Sequence, residues 1–327
     1  MSLLRLLVQR VVLGLVAIWT LLSGLFLLFA ATEDWLLDRI LAGEARGGAT
    51  PEMLERTRSE YLADRGMDRP LAEQYADWMG SMFTLRWGES FETGQAVLPT
   101  VMEATVRTGA YVVPAIVLAA GLGLLVGLYA ALYDRSNRGR AARTLSYLLL
   151  GLPNFWLGTV VLAAAGLGIG FGWDMDVNRI RPLALPVGYE YVLPPVLVAT
   201  TLLAAVVSYA RAYALRYSGT DFMKLVRAKG GGRVTVARHL LRNAAIPLVS
   251  LVFTETLALV AISVLVIEAV FGIPGLGYLL YNAVWASDLP VVMGCSVVVV
   301  ATGVVGNVLQ DLSYSALDPR VDTGSRR

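Results

Sequence analysis

The sequence predicts an all-α membrane protein with six transmembrane helices and both termini cytoplasmic. Three observations predict it. The 327 residues are 56% hydrophobic and 16% charged, with a mean hydropathy of +0.62, too apolar for an ordinary soluble domain. Six runs nearly free of charge reach the roughly 20 residues that a helix needs to cross the hydrocarbon. The loops between these runs alternate in charge, and cation-rich loops stay in the cytoplasm.

The runs follow in order. Val11–Thr32 has 22 residues, Thr108–Tyr133 26, Thr144–Trp173 30 and Tyr191–Ala210 20. Asn243–Ile267 has 25, interrupted only by Glu255, and Leu289–Gln310 has 22. Val11–Ala31 exceeds the roughly 7–15 residues of a signal-peptide core, so the first run is read as an uncleaved span. Ala269–Ser287 is also charge-free, but Gly272, Pro274, Gly275 and Gly277 break it. It is read as a loop or re-entrant corner, which the membrane allows only where protein buries the backbone.

Orientation comes from the loops. Arg5 and Arg10 precede the first run, and Arg135, Arg138, Arg140 and Arg143 face one acid in the loop Asp134–Arg143. From Arg211 to Arg242 there are eight cations and one anion, a net of +7 against +2 for the whole chain. These segments are expected inside. Glu33–Glu92 carries seven arginines and thirteen acids, a net of −6, and is expected outside. The outer loops further on hold Asp174, Asp176, Arg179, Arg181 and Glu190, then Glu268 and Asp288. The chain thus divides into an N-terminal transmembrane helix (1–32), an extracytoplasmic loop or cap (33–99), a core of five further spans (100–317) and a cytoplasmic tail (318–327). In the cap, Met53–Tyr61 and Leu71–Met82 have helical periodicity, and a segment of this size rarely buries a sufficient core unaided.

The basic loop between the fourth and fifth runs is patterned. Ser218 followed by Asp221 fits a capping box. Phe222, Leu225 and Val226 share one face of a short helix, and Lys224 and Arg227 point elsewhere. Gly230, Gly231 and Gly232 stop the helix, since glycine takes the left-handed conformation of a C-terminal cap. A second run sets Val234, Ala237, Leu240 and Leu241 against Arg233, Arg238 and Arg242. Two readings are open on pattern alone: an interfacial helix that anchors to anionic lipid, or a docking element for a cytoplasmic partner.

Signatures of chemistry are absent from the sequence. There is no GxxxxGK[ST] phosphate loop, so nucleotide hydrolysis is not expected of this chain. HExxH, CxxC and GxSxG do not occur. One cysteine, Cys295, and one histidine, His239, lie in different segments, which speaks against a metal site or a Cys–His nucleophile. The chain is therefore not read as an enzyme, and no cofactor or metal of its own is expected. Gly121, Gly123 and Gly127 sit at small-residue spacing inside a span and suit close helix packing. Glu255 is the only acid deep within a charge-free run, either lining a cavity or hydrogen-bonded beside Thr254 and Thr256. Asp288 before Leu289-Pro290 suits a helix start.

Taken together, these segments resemble the membrane permease subunits of ABC importers, of the oligopeptide/dipeptide and nickel type. The basic loop carries Ala228-Lys229-Gly230, Arg238-His239, Arg242-Asn243 and Pro247, with the interval from Gly230 to Pro247 about one residue short of the family form. Glu268–Gly277 (EAVFGIPGLG), Asp288-Leu289-Pro290-Val291-Val292 and Leu317-Asp318-Pro319-Arg320 also fit. Earlier, Arg69-Pro70-Leu71 with Gln74, Tyr75 and Trp78, then Gly88-x-Ser90-x-x-Thr93-Gly94, resemble its first outer loop, and Leu152-Pro153-x-Phe155-Trp156-Leu157-Gly158 its third span. The resemblance implies a prokaryotic cytoplasmic membrane, a second homologous permease subunit, two cytoplasmic ATPase subunits that use ATP and Mg, and an extracytoplasmic substrate-binding protein. It makes 218–243 a coupling element, with Asp221, Phe222, Lys224, Leu225, Val226, Arg227, Ala228, Lys229 and Gly230 meeting the ATPase. Asn154, Ser208, Thr254, Glu255 and Asn307 are candidates to line the pathway. Nothing points to nucleic acid. A self-contained carrier using Glu255, or a scaffold with a lipid-binding basic loop, are the competing readings.

Overall fold

A computed structural model describes residues 3–32, 34–164, 189–232, 234–241, 253 and 264–317. Among these the chain is helical and has no strand. Its one extended pairing is an isolated antiparallel bridge between Glu89 and Ala96. In order, the helices are α1 (Leu3–Ala31), α2 (Trp35–Arg46), α3 (Pro51–Asp64), α4 (Leu71–Phe83), α5 (Val97–Leu132), α6 (Asn137–Gly151) and α7 (Asn154–Ala164). Then come α8 (Tyr189–Ser218), α9 (Asp221–Ala228), the helical residues 234–241 (α10), α11 (Leu265–Phe271), α12 (Leu276–Trp285) and α13 (Leu289–Leu317).

Four described stretches are long and apolar enough to cross a membrane: Val8–Arg46, Val97–Leu132, Val192–Ser218 and Leu289–Ser313. The broken pair α11 and α12 makes a fifth if counted as one. These helices show apolar side chains outward. Val12, Leu15, Val16 and Trp19 are exposed on α1, and Val113, Val117 and Leu125 on α5. Such faces need a hydrocarbon solvent, in which the helix satisfies its own backbone polar groups. Most of the fifth charge-free run, Asn243–Ile267, and residues 165–188 lie outside the described residues.

Two elements differ from expectation. The 30-residue run from Thr144 does not form one helix. α6 already starts at Asn137, where the Ser136 hydroxyl accepts the Gly139 N–H at 3.1 Å, and it ends at Gly151. Pro153 lacks an N–H and pushes the preceding residue out of the helical region. Leu152 accordingly has φ −96° and ψ 126°, and α7 begins after the proline. The expected glycine corner is present as a sharp break between two short helices, but it is narrower than the charge-free run suggested. Gly272 closes α11 in the left-handed conformation, φ 65°, and α12 starts at Leu276. The interruption is therefore four residues, Gly272–Gly275, rather than the whole of Ala269–Ser287.

The chain divides into two compact units. One holds Arg107–Ile273 with residues 1–7 and 305–327. Its α5 and α8 meet through small residues. A Cβ on Gly123 would lie 2.7 Å from the Val206 Cβ, and one on Gly127 2.6 Å from the Ala210 Cβ. Gly121, by contrast, faces open space. Further along, Tyr111, Leu197, Ile267 and Phe271 share a buried cluster.

The other unit holds Val8–Val106 and Pro274–Val304. Its core joins Leu22 and Phe26 of α1, Met79 and Met82 of α4, Trp87, and Leu289, Val291, Val292 and Met293 of α13. Of the helices between α1 and α5, α4 thus buries its apolar side on residues of α1 and α13. α2, which periodicity did not suggest, is capped by Asp34, whose carboxylate accepts the Leu36 and Leu37 amides at 3.1 and 3.2 Å.

Candidate functional site: a short basic helix and two buried carboxylates

α8 continues through Ser218, and this corrects the expected capping box. The Ser218 hydroxyl donates to the Leu215 carbonyl at 2.8 Å, because a residue still inside a helix turns its hydroxyl back on that helix. The N-cap of α9 is Thr220, and Asp221 instead accepts from the Lys224 ammonium at 2.8 Å. Both partners are exposed, so this pair contributes little to stability. Asp221 in the first turn and Arg227 in the last complement the helix dipole.

The end of α9 is a complete glycine cap. Gly230 is left-handed, φ 79°, and its N–H donates to the Arg227 carbonyl at 3.0 Å. The Gly231 N–H donates to the Val226 carbonyl at 3.0 Å. These two bonds satisfy carbonyls that the helix end leaves without partners. A Cβ on Gly231 would lie 2.7 Å from that carbonyl oxygen, so the second glycine is needed for closeness.

Packing splits the apolar residues of α9. Met223 is 1% exposed and sits among Leu128, Ala214, Val236 and Leu240. Val226 packs against the same cluster. Phe222 and Leu225 are about half exposed, at 49% and 52%. The expected single face, Phe222 with Leu225 and Val226, is thus divided: Val226 joins Met223 inward and the other two face out. Asp221, Lys224, Arg227, Ala228, Lys229 and Gly230 are exposed. The Phe222 ring meets the His239 ring edge-on at 5.4 Å, tying α9 to α10. On α10 the inward residues are Val236 and Leu240; of the expected face Leu240 is buried and Ala237 half-buried, while Val234 and Leu241 are exposed.

The pathway candidates lie on separate helices. Asn154 is buried at the start of α7. Ser208 on α8 turns its hydroxyl to the Ala204 carbonyl at 2.9 Å, and Asn307 on α13 is exposed. Thr254 and Glu255 lie outside the described residues.

Two acids assigned to an outer loop are buried. Glu268 is fully buried in α11, where its Oε1 accepts the Thr108 hydroxyl at 2.6 Å and the Tyr111 hydroxyl at 2.7 Å. Counting charge-free runs hid it, because Glu268 itself ended the fifth run. The apolar residues on both sides, Val266, Ile267, Ala269 and Val270, were the available signal. Asp288 is 3% exposed and its Oδ2 accepts the Ser90 hydroxyl at 2.5 Å. Ser90 also accepts the Thr93 amide at 3.0 Å, so the Gly88–Gly94 motif is a turn built around this serine. Just past the end of α5, Asp134 Oδ1 accepts from both Nε and Nη2 of Arg211 on α8, the former at 3.2 Å. That guanidinium holds the Asp134 carboxyl below its ordinary range. Among the described residues, no group of three or more His, Cys, Asp or Glu is placed to hold a metal ion.

The chain thus combines apolar helices long enough to cross a membrane with a short, glycine-capped basic helix. Residues 123–323 match the family of binding-protein-dependent transport system inner membrane components. A putative peptide transport system permease protein of Brucella abortus is 30% identical over 303 residues, covering 90% of this chain and 94% of that one. The metal-staphylopine import system permease protein CntB of Staphylococcus aureus is 26% identical, covering 92% and 93%. The oligopeptide transport system permease protein AppB of Bacillus subtilis is 27% identical, covering 83% and 87%. The chain belongs to the family of binding-protein-dependent transport system inner membrane components and is a membrane-embedded permease subunit of an ABC importer. Family membership decides against the self-contained carrier and the lipid-anchored scaffold.

Proposed function

We propose that this subunit forms half of the translocation pathway for peptides or a similar small solute, and that α9 is where ATP-driven motion enters it. The substrate class follows the relatives named for peptide and oligopeptide transport. The observation that carries the mechanism is the division of α9. Met223 anchors the helix to its own bundle, while exposed Phe222 and Leu225 lie between exposed Lys224, Arg227 and Lys229. Two apolar side chains fill a groove on a cytoplasmic ATPase, and the cations set register at its rim. Val226 supports the helix from behind. A capped helix packed on a bundle transmits rigid-body motion.

The chain then spans the membrane six times with both termini inside. Residues 33–99 form an extracytoplasmic cap, 100–317 the core, 218–243 the coupling element and 318–327 a cytoplasmic tail. A second homologous permease completes the pathway, two ATPases use ATP and Mg, and one substrate-binding protein delivers cargo. Asn154, Ser208, Thr254, Glu255 and Asn307 are the proposed lining.

The test is reconstitution of the importer with Leu225→Asp. The variant is expected to insert normally, fail to retain the ATPase subunits and lose transport. Normal uptake by this variant overturns the role of α9.

A further inference from the structure

The unit that contains the cap carries a surface cleft of about 220 Å³ between α4, the turn before it and the loop after it. Arg65, Arg69 and Arg86 line it, with Asp77 and Glu89. Asp77 accepts from the Arg69 guanidinium at 2.5 Å. Among the described residues, Arg65 and Arg86 pair with no carboxylate. With Asp77 paired to Arg69, two cations without an anionic partner among the described residues share the cleft with one remaining acid, Glu89.

Arg65 is held in place by rings. Its guanidinium carbon lies 3.7 Å from the Tyr61 ring centroid and 4.9 Å from that of Phe91. Tyr61 is fixed in turn by donating its hydroxyl to Asp34 at 2.6 Å. Stacking orients a guanidinium but satisfies none of its N–H groups. A guanidinium fork fixed in this way matches a carboxylate, which accepts two parallel hydrogen bonds. Beside Arg86 in the chain, Leu85 has φ 58° and is 59% exposed, and Phe83 is 44% exposed. A left-handed leucine is uncommon, and here it presents an apolar side chain next to a cationic notch. Charged notch and apolar neighbours together form the pattern of a protein-docking hot spot. The volume is below the roughly 300 Å³ at which small-molecule sites begin, yet it admits one side chain.

We propose that this cleft receives an acidic side chain of the substrate-binding protein, with Phe83 and Leu85 as its apolar rim. The inference rests on the importer reading and on the topology above, which put the cap on the extracytoplasmic face.

The test uses the intact importer in nanodiscs of neutral lipid, with its cognate substrate-binding protein fluorescently labelled. Arg86→Glu is expected to weaken binding at least tenfold and to flatten the loss of affinity with added salt. Arg65→Lys, which keeps the charge and loses the fork, is expected to weaken it several-fold. Independently, a photo-cross-linker on Leu85→Cys is expected to give an adduct with the binding protein; the native Cys295 is fully buried and stays unlabelled. Unchanged affinity and salt dependence in Arg86→Glu, or adducts with lipid alone, overturn the proposal. A wild-type complex that binds no substrate-binding protein overturns the importer reading itself.

Discussion

Tyr111 donates its hydroxyl to Glu268 Oε1 at 2.7 Å across 157 residues of sequence, and Thr108 donates to the same oxygen at 2.6 Å. The carboxylate is fully buried, and these bonds tie α11 to α5. Glu268→Ala leaves two buried hydroxyls without this acceptor and is expected to cost about 1–3 kcal/mol for each. Glu268→Gln keeps an acceptor oxygen and is expected to lose less. Thermal melting in mild detergent reads both. A double-mutant cycle of Tyr111→Phe with Glu268→Gln is expected to show non-additivity of roughly 0.5–3 kcal/mol.

The contact between α5 and α8 predicts a contrast among neighbouring glycines. Gly127→Val drives side-chain atoms into Ala210 and the Val207 carbonyl, and overpacking of this kind costs about 1–3 kcal/mol. Gly121→Ala meets nothing within 4 Å. It is expected to be neutral or to stabilise by up to about 1 kcal/mol through helix propensity. Melting of the two variants side by side checks the difference.

On α9, neighbouring apolar residues are expected to fail in different ways. Met223→Ala removes a buried side chain and is expected to cost about 2–5 kcal/mol of stability. Leu225→Asp is expected to leave melting within roughly 0.5 kcal/mol, as surface substitutions do, while transport falls at least tenfold. Gly230→Pro removes the N–H that bonds Arg227 and forbids the positive φ, so it is expected to break the cap and uncouple transport. Uptake assays beside melting curves separate these effects.

Acid is expected to weaken the junction at Asp134. Its folded-state pKa lies below the ordinary value of 3.8, first through the hydrogen bond from Arg211. A depressed carboxylate contributes stability that is complete above its unfolded pKa and is lost as pH falls through the folded one. The wild-type melting temperature is therefore expected to drop more steeply below about pH 4 than that of Asp134→Asn. Parallel slopes for the two proteins would remove Asp134 from the account.

Removing the Ser90 hydroxyl is expected to cost about 1–3 kcal/mol. Among the described residues Asp288 Oδ1 has no hydrogen-bond partner, so Ser90→Ala removes the one described donor to this buried carboxylate. Ser90→Thr, which retains the hydroxyl, is expected to recover part of the loss in the same melting assay.

Much of the membrane character was legible from composition and charge. Long uncharged runs such as Leu289–Gln310 reappear as helix because hydrocarbon leaves the backbone little choice. The close-packing role of Gly123 and Gly127 was legible from spacing, and the end of α9 from its glycines. The fate of Glu268 was not, since a one-dimensional charge count treats every acid as a boundary. Hydroxyls from far away in the chain, those of Thr108 and Tyr111, help make its burial tolerable. The division of Phe222, Leu225 and Val226 escaped for a similar reason. Helical periodicity places residues on a face but does not say which side already has a partner.

The sequence by itself determined that this chain is a helical membrane protein with a strongly basic, glycine-closed segment between apolar runs. That much depends on local properties: apolar length, cation distribution, and the conformations open to glycine and proline. Only the tertiary structure decided which residues of that segment are used inward and which remain available. Burying Met223 against Leu128, Val236 and Leu240 turns Phe222 and Leu225 outward. A buried contact needs two surfaces, and the second surface lies outside the helix that periodicity describes.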